Sequence, residues 1–352
     1  MKASDGSNGS GFKPRLIFRL RNCYPYKGEL QRGGQRMSEL LKPVIVPMYT
    51  PFDEDGSLDE RGVVELINWL IGKGVRAIYV RSGVGGKWKL KLDEVKRLAE
   101  ISVEAAGGRA AILVGCEGEW DGDLGSKPDP VAYTEGSCEL AEYAEEVGAD
   151  GIFLAMPMAL GSEGSDPVET SIRYFSAVRS HTSLPILLHQ LRGTPEGFKL
   201  NPKLLKGLLD LGGFLGIKVS TDDPSEFERA AGMMKGTGFA LICGNERLWL
   251  DALRVGAVSV IGGGGNVYPE LMELVYRRFK EGDVEGAERF QKRICELLDA
   301  TKGLPGIFWR QYLILKGVGM KPFDRDGRRP LPDEVVRRAA ERVDEILGLV
   351  SA

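Results

Sequence analysis

The sequence predicts a TIM-type (β/α)8 barrel with a C-terminal helical appendage, on three observations. Eight short runs, apolar at nearly every position, recur between residues 43 and 263. Such runs suit parallel strands buried on both faces. Amphipathic stretches of helical period separate them, and residues 42–281 supply the length that eight strand–helix units need, about 250 residues.

The strand candidates, in order, begin with "PVIVPMYT" (43–50), "RAIYVRS" (76–82), "AAILVGC" (110–116) and "GIFLA" (151–155). They continue with "PILLHQ" (185–190), "FLGIKVS" (214–220), "FALICG" (239–244) and "AVSVIGG" (257–263). Between them lie helical patterns such as "DERGVVELINWLIGKG", "DPVAYTEGSCELAEYAEEVG" and "PELMELVYRRFKEG". Asp166 and Asp223 each offer an N-cap, followed by proline at the first helical position and glutamate at the third. Residues 283–350 read as two helices, "EGAERFQKRICELLDA" and "DEVVRRAAERVDEILGLV", separated by a loop rich in Gly, Pro and Arg. The expected divisions are therefore a barrel at 38–281 and a helical region at 282–352.

A doubly wound open sheet is the competing arrangement, but the G-x-G-x-x-G that would follow its first strand is absent. The glycine run Gly262–Gly265 follows the eighth strand candidate instead. It reads either as a phosphate-holding loop or as a tight turn that brings backbone close to a site.

Residues 1–37 differ from the rest: small polar residues, then Arg15, Arg19, Arg21, Arg32 and Arg36 with almost no acids. They read as a disordered extension or as a transit peptide. Met37 is an alternative start, because organised pattern begins just after it.

A net charge of −3 gives no reason to expect nucleic acid or an anionic membrane as partner. No apolar run is long enough to span a bilayer. Five cysteines form no C-x-x-C pair and leave an odd thiol, which fits a reducing, cytoplasmic setting. Only two histidines are present, so no metal site is expected.

Barrel active sites lie at the C-terminal strand ends. That rule selects Tyr49 and Thr50, Ser82 to Lys87, Cys116 and Glu117, Met156, His189 and Gln190, Lys218, Cys243 and Gly244, and Gly262 to Asn266. Lys218 is the anomaly. It stands among Phe214, Leu215, Ile217 and Val219, where an ammonium is expensive to keep charged. A desolvated amine is a nucleophile able to form a Schiff base with a ketone or aldehyde. The other reading is a lysine whose tip snorkels to the barrel mouth. His189, ending the preceding strand candidate, reads as a proton carrier with an ordinary pKa near neutrality or as a hydrogen-bonded structural residue. His181, near the end of a helix, receives no chemistry.

At these residues the chain resembles the dihydrodipicolinate synthase/N-acetylneuraminate lyase family of class I aldolases and dehydratases. The resemblance runs from about Pro43 to the C-terminus. It rests on "VPMYTPFDEDGSLD", "GIKVSTDDP", "ICGNE", "GAVSVIGGGGNVYPELM" and "LKGVG…RRPL". It implies that Lys218 is the imine-forming lysine and that His189 stands where members usually carry a tyrosine. The covalent imine on Lys218 makes a separate cofactor unnecessary.

The departures are informative. The family's G-T-T-G-E-type loop is Ser82-Gly83-Val84-Gly85-Gly86 here, without the threonine pair or the glutamate. The synthase tyrosine pair matches positions near Met158 and Ala159. The synthase arginine matches Thr194, with Arg192 close by as a substitute. Residues 117–130 lengthen the loop after the third strand. Glu117, Glu119, Asp121 and Asp123 there read as contacts to a polar substrate under a lid, or as a solvated acidic loop.

The reading that results is a Schiff-base lyase acting on a 2-oxo acid, such as a 2-oxo-4-hydroxy acid, rather than a true dihydrodipicolinate synthase. Lys218 and His189 are the catalytic pair; Thr50, Ser82, Gly83, Val84, Gly85, Arg192 and Gly244 contact substrate. The alternatives are a dehydratase of a sugar-derived 2-oxo acid and a non-catalytic paralogue that only binds such acids. The resemblance further implies a homo-oligomer, dimer or tetramer, with a small-molecule 2-oxo acid as its partner.

Overall fold

The computed structural model describes residues 40–325 and 329–348, so the expectations for residues 1–37 lie outside the described residues. Eight parallel strands run in the order of the chain, each beside the next. They are β1 (Val46–Pro47), β2 (Ala77–Val80), β3 (Ala111–Gly115), β4 (Gly151–Ala155), β5 (Ile186–Gln190), β6 (Phe214–Val219), β7 (Ala240–Cys243) and β8 (Ser259–Val260). Each lies within its predicted run. The ends of the sheet meet through a parallel bridge between Val44 and Val260. The Ile45 amide donates to the Val260 carbonyl and the Val260 amide to the Pro43 carbonyl, at 3.0 and 2.9 Å. The barrel is thereby joined without a free edge at that level.

Eight helices separate the strands or follow the last: α1 (Glu60–Gly72), α2 (Leu92–Ala106), α3 (Pro130–Glu146), α4 (Pro167–Arg179), α5 (Pro202–Leu211), α6 (Ser225–Met234), α7 (Trp249–Arg254) and α8 (Pro269–Lys280). Asp166 caps α4 as predicted, accepting from the Val168 and Glu169 amides. Asp223 serves α6 from one residue further out. Its carboxylate takes the Ser225 amide and hydroxyl while Pro224 occupies the cap.

Inside the barrel, Ile45, Tyr79, Leu113, Phe153, Leu187, Ile242 and Ile261 form one apolar plug, with Tyr79 stacked on Phe153 at 4.2 Å. β6 contributes Gly216 at this layer, in register with Leu187. A methyl at Gly216 would meet the Ala240 carbonyl at 2.4 Å. Because strand side chains alternate, Lys218, two residues further on, faces the same interior just above the plug.

The tail folds as α9 (Val284–Ala300), α10 (Ile307–Leu315) and α11 (Asp333–Leu347). The predicted loop between two helices therefore contains a third. "IFWRQYLIL" is apolar around most of its circumference, and so short a run carries no readable period. It forms a helix because Ile307, Phe308, Tyr312 and Leu313 are buried. Leu297, Phe308, Tyr312, Val336 and Val343 share one buried cluster with the barrel-covering helices.

Candidate active site

The site is built at the C-terminal end of the barrel by a lateral row of residues. Ala155, His189 and Lys218 are register partners on β4, β5 and β6. On β3, Gly115 pairs with Phe153, which places Glu117 level with Ala155. Four neighbouring strands thus present Glu117, Ala155, His189 and Lys218 to one mouth.

Lys218 is buried, with 7% of its surface exposed at the barrel mouth. Burial lowers its pKa to about 7, and the ammonium of Lys87 adds to that, against smaller opposing effects from Cys243 and Glu246. At neutral pH roughly half of the amine is free base, on the order of a thousandfold more than for an ordinary lysine.

His189 departs from the expectation of an ordinary pKa. Burial, then the charges of Lys218 and Lys87, hold its imidazolium well below the usual histidine range. The ring is therefore neutral at pH 7. Nε2 lies 2.9 Å from the Ser220 hydroxyl, and Nδ1 is buried with no partner among the described residues. Ser220 follows Lys218 by two positions. Gly244 makes room for it, since a methyl at Gly244 would lie 2.4 Å from Ser220 Oγ and 2.6 Å from the Val219 carbonyl. The structure thus gives Gly244 a packing role beside its predicted place at the site.

The glycine loop after β2 is partly self-satisfied. The Gly85 amide donates to Ser82 Oγ (3.1 Å), Gly86 to the Gly83 carbonyl and Lys87 to the Ser82 carbonyl. Gly83 and Val84 are exposed, and neither amide has a partner among the described residues. Gly85 packs against β1: a methyl there would meet the Met48 carbonyl at 2.6 Å and Thr50 Oγ1 at 2.9 Å. Thr50 Oγ1 itself is buried without a partner among the described residues. Arg192 stays apart from this cluster. It is largely exposed and pairs with Asp222 at 2.8 Å. Thr194 hydrogen-bonds its own turn at Leu191.

Two charged residues that sequence reasoning left without a role are buried beside these strand ends. Lys87 is buried, paired with Glu117 at 2.9 Å and stacked over Trp88 at 4.1 Å. Burial lowers its pKa and Glu117 partly restores it. Burial pushes the Glu117 carboxyl up, but Lys87 and Arg81 outweigh that and hold it below the usual range. Arg81, at φ 54° the only non-glycine residue with positive φ among those described, donates to the Gly115 and Glu117 carbonyls. The alternation "KWKLKL" gives no sign that Lys87, rather than Lys89 or Lys91, turns inward.

Glu246, after β7, is the second. Burial raises its carboxyl to about 7. The Gly264 amide donates to it at 3.1 Å, and methyls at Gly262 or Gly264 would lie 2.9 and 2.4 Å from Oε2. The glycine run thus packs against the protein's own Glu246 carboxyl group. An acid three residues past a barrel strand was the available signal.

The long loop behaves as neither of its predicted extremes. Glu119 accepts from the Leu92 amide at the start of α2, and Asp121 and Asp123 accept from amides of their own turn. Trp120 packs edge-on to Trp88 at 5.2 Å, covering the Lys87 side of the mouth. Glu117 alone of the four acids points inward. Among the described residues no group of three His, Cys, Asp or Glu is arranged to hold a metal ion. None of the described helices is long and apolar enough to cross a membrane.

The model of the dihydrodipicolinate synthetase family matches residues 40–308. The chain belongs to that family. It is 26% identical over 263 residues to YagE of Escherichia coli strain K12, named as a candidate 2-dehydro-3-deoxy-D-gluconate aldolase, covering 74% of this chain and 81% of that protein. It is 29% identical over 261 residues to the 4-hydroxy-tetrahydrodipicolinate synthase of Methanopyrus kandleri, covering 73% and 80%. Among solved structures, YagE in complex with pyruvate superposes with a TM-score of 0.74 at 23% identity, covering 87% of this chain and 98% of that one. N-acetylneuraminate lyase from Mycoplasma synoviae gives 0.73 at 22%, with 87% and 98% covered. These structural likenesses establish the barrel fold shared across the family.

Proposed function

We propose that the protein is a class I lyase that binds a 2-oxo-4-hydroxy acid as a Schiff base on Lys218 and releases pyruvate and an aldehyde. The observation that carries this is the buried Lys218, with a pKa near 7, in register with the neutral His189. Family membership and the name of an aldolase relative support it.

The free amine adds to the C2 carbonyl and, with loss of water, gives a protonated imine. The neutral imidazole of His189 takes the 4-hydroxyl proton, the C3–C4 bond breaks, and its electron pair flows into the iminium to give an enamine. The new aldehyde leaves, C3 is protonated, and water hydrolyses the imine to free pyruvate. In this reading the Gly83 and Val84 amides, without a partner among the described residues, receive the substrate carboxylate, as successive backbone amides can.

A panel of 2-oxo-4-hydroxy acids tests this reading. Wild type should release equal amounts of pyruvate and aldehyde from at least one member, and Lys218→Ala from none. A dehydrated 2-oxo acid as the sole product would replace the aldolase reading with the dehydratase one.

A further inference from the structure

Three buried charges meet beyond the ends of β2 and β3, and they do not cancel. Arg81, Lys87 and Glu117 are each no more than 2% exposed. Lys87 Nζ lies 2.9 Å from Glu117 Oε1. Arg81 donates to the Gly115 and Glu117 carbonyls and makes no salt bridge of its own among the described residues. Two cations thus share one carboxylate, and the cluster keeps an excess of one positive charge. Such a charge is expensive to hold in a dry interior. The Lys87 ammonium sits over the Trp88 ring, and Trp120 packs edge-on to Trp88, so water screens it poorly.

The cluster is fixed in place relative to Lys218. Glu117 Oε1 also accepts from the Ala155 amide at 2.9 Å. Ala155, His189 and Lys218 are register partners on adjacent strands. Two strand spacings of about 4.8 Å each therefore separate Ala155 from Lys218. At about 10 Å and an effective dielectric of about 20, one unit charge moves a neighbour's protonation midpoint by about one pH unit.

Four titratable groups face Lys218: His189 on β5, Lys87 after β2, and Cys243 and Glu246 at and after the end of β7. His189 is neutral at pH 7, held low by burial and by the two lysines. Burial pushes the Cys243 thiol up to about 12, so it is neutral as well. Burial raises the Glu246 carboxyl to about 7, which leaves it half ionised. Burial also works against the Lys87 charge, but the ionised Glu117 carboxylate preserves it. Lys87 is the one group of the four that bears a full charge at neutral pH.

We propose that Lys87, clamped by Glu117, is a positioning residue for the nucleophile: its ammonium disfavours a second ammonium on Lys218 and leaves that side chain as a free amine. Lys87 acts through its field and touches no substrate. The inference takes its purpose from the Schiff-base reading above, which needs an unprotonated amine at neutral pH.

The test titrates Lys218 without any substrate. Trace acetic anhydride acetylates each lysine in proportion to its free amine, and peptide mass mapping reads the Lys218 label as a function of pH. Wild type should show a midpoint of about 7. Lys87→Gln, which can still donate to Glu117, should raise that midpoint by about one pH unit, and Lys87→Arg, which keeps the charge, should leave it in place. Lys87→Met serves if the glutamine variant does not fold. A wild-type midpoint near the ordinary lysine value of about 10.4 overturns the inference without any variant. So does a midpoint unmoved in the folded uncharged variant, or one moved equally by Lys87→Arg, which would make the effect one of packing. Pyruvate with cyanoborohydride on wild type separates the two levels. An adduct at Lys218 with an unmoved midpoint removes the role of Lys87 alone. No adduct, with a midpoint that follows the charge at position 87, removes the Schiff-base reading and upholds the effect of Lys87 on the amine.

Discussion

Lys218 and His189 stand side by side in the sheet, and burial pushes both toward their neutral forms with different chemical results. A neutral amine is a nucleophile; a neutral imidazole keeps its lone pair but becomes reluctant to hold a proton. The fall in kcat/KM on the acid side should therefore reflect Lys218. The sign is fixed: activity rises with pH as the amine deprotonates through about 7, and is lost below it. Glu246, also at about 7, titrates in the same window. Measuring the profile in Glu246→Gln distinguishes them, and the limb should remain. His189→Ala should lower kcat by about 100- to 10,000-fold, as expected for loss of a general base, while pyruvate still labels Lys218. Near-full activity in that variant would leave His189 a structural partner of Ser220 only.

At the scale of elements, the strands and most helices were legible because their signals are local. Runs apolar at every position mark strands buried on both faces, and Asp-Pro-x-Glu marks where α4 begins. The misses share a cause: they depend on contacts between distant segments. α10 is a helix because of what covers it, and Lys87 turns inward because Glu117 arrives from the next strand end, 30 residues later. The packing role of Gly244 has the same origin: β7 approaches the β6 end too closely for a side chain there. Gly244→Ala should cost about 1–3 kcal/mol of stability, the usual range for overpacking, and should lower kcat by displacing Ser220 from His189. Thermal denaturation and a rate assay on the same sample check both parts. An unchanged melting temperature would show that the strand ends can separate freely.

Across the whole molecule, the fold and the buried lysine of β6 were readable from sequence, because eight repeating units and one misplaced amine are each visible without knowing any contact. What surrounds the lysine was not; by the resemblance alone, the family's threonine and tyrosine positions fall on glycine, valine, methionine and alanine here. The buried Lys87–Glu117 pair occupies the neighbouring side of the mouth. That exchange predicts negligible condensation of pyruvate with aspartate semialdehyde, measured as formation of the cyclised product. Turnover of about 1–1000 per second would mean that another set of residues supplies the synthase proton relay. The central claim, that Lys218 is the nucleophile of the whole barrel, is tested most directly by trapping. Wild type and Lys218→Ala are treated with pyruvate and borohydride, and the labelled residue is located by peptide mass mapping. The account predicts one reduced pyruvate adduct per chain, on Lys218, and none in the variant. Label on Lys87 or any other lysine, or undiminished label in Lys218→Ala, would contradict it.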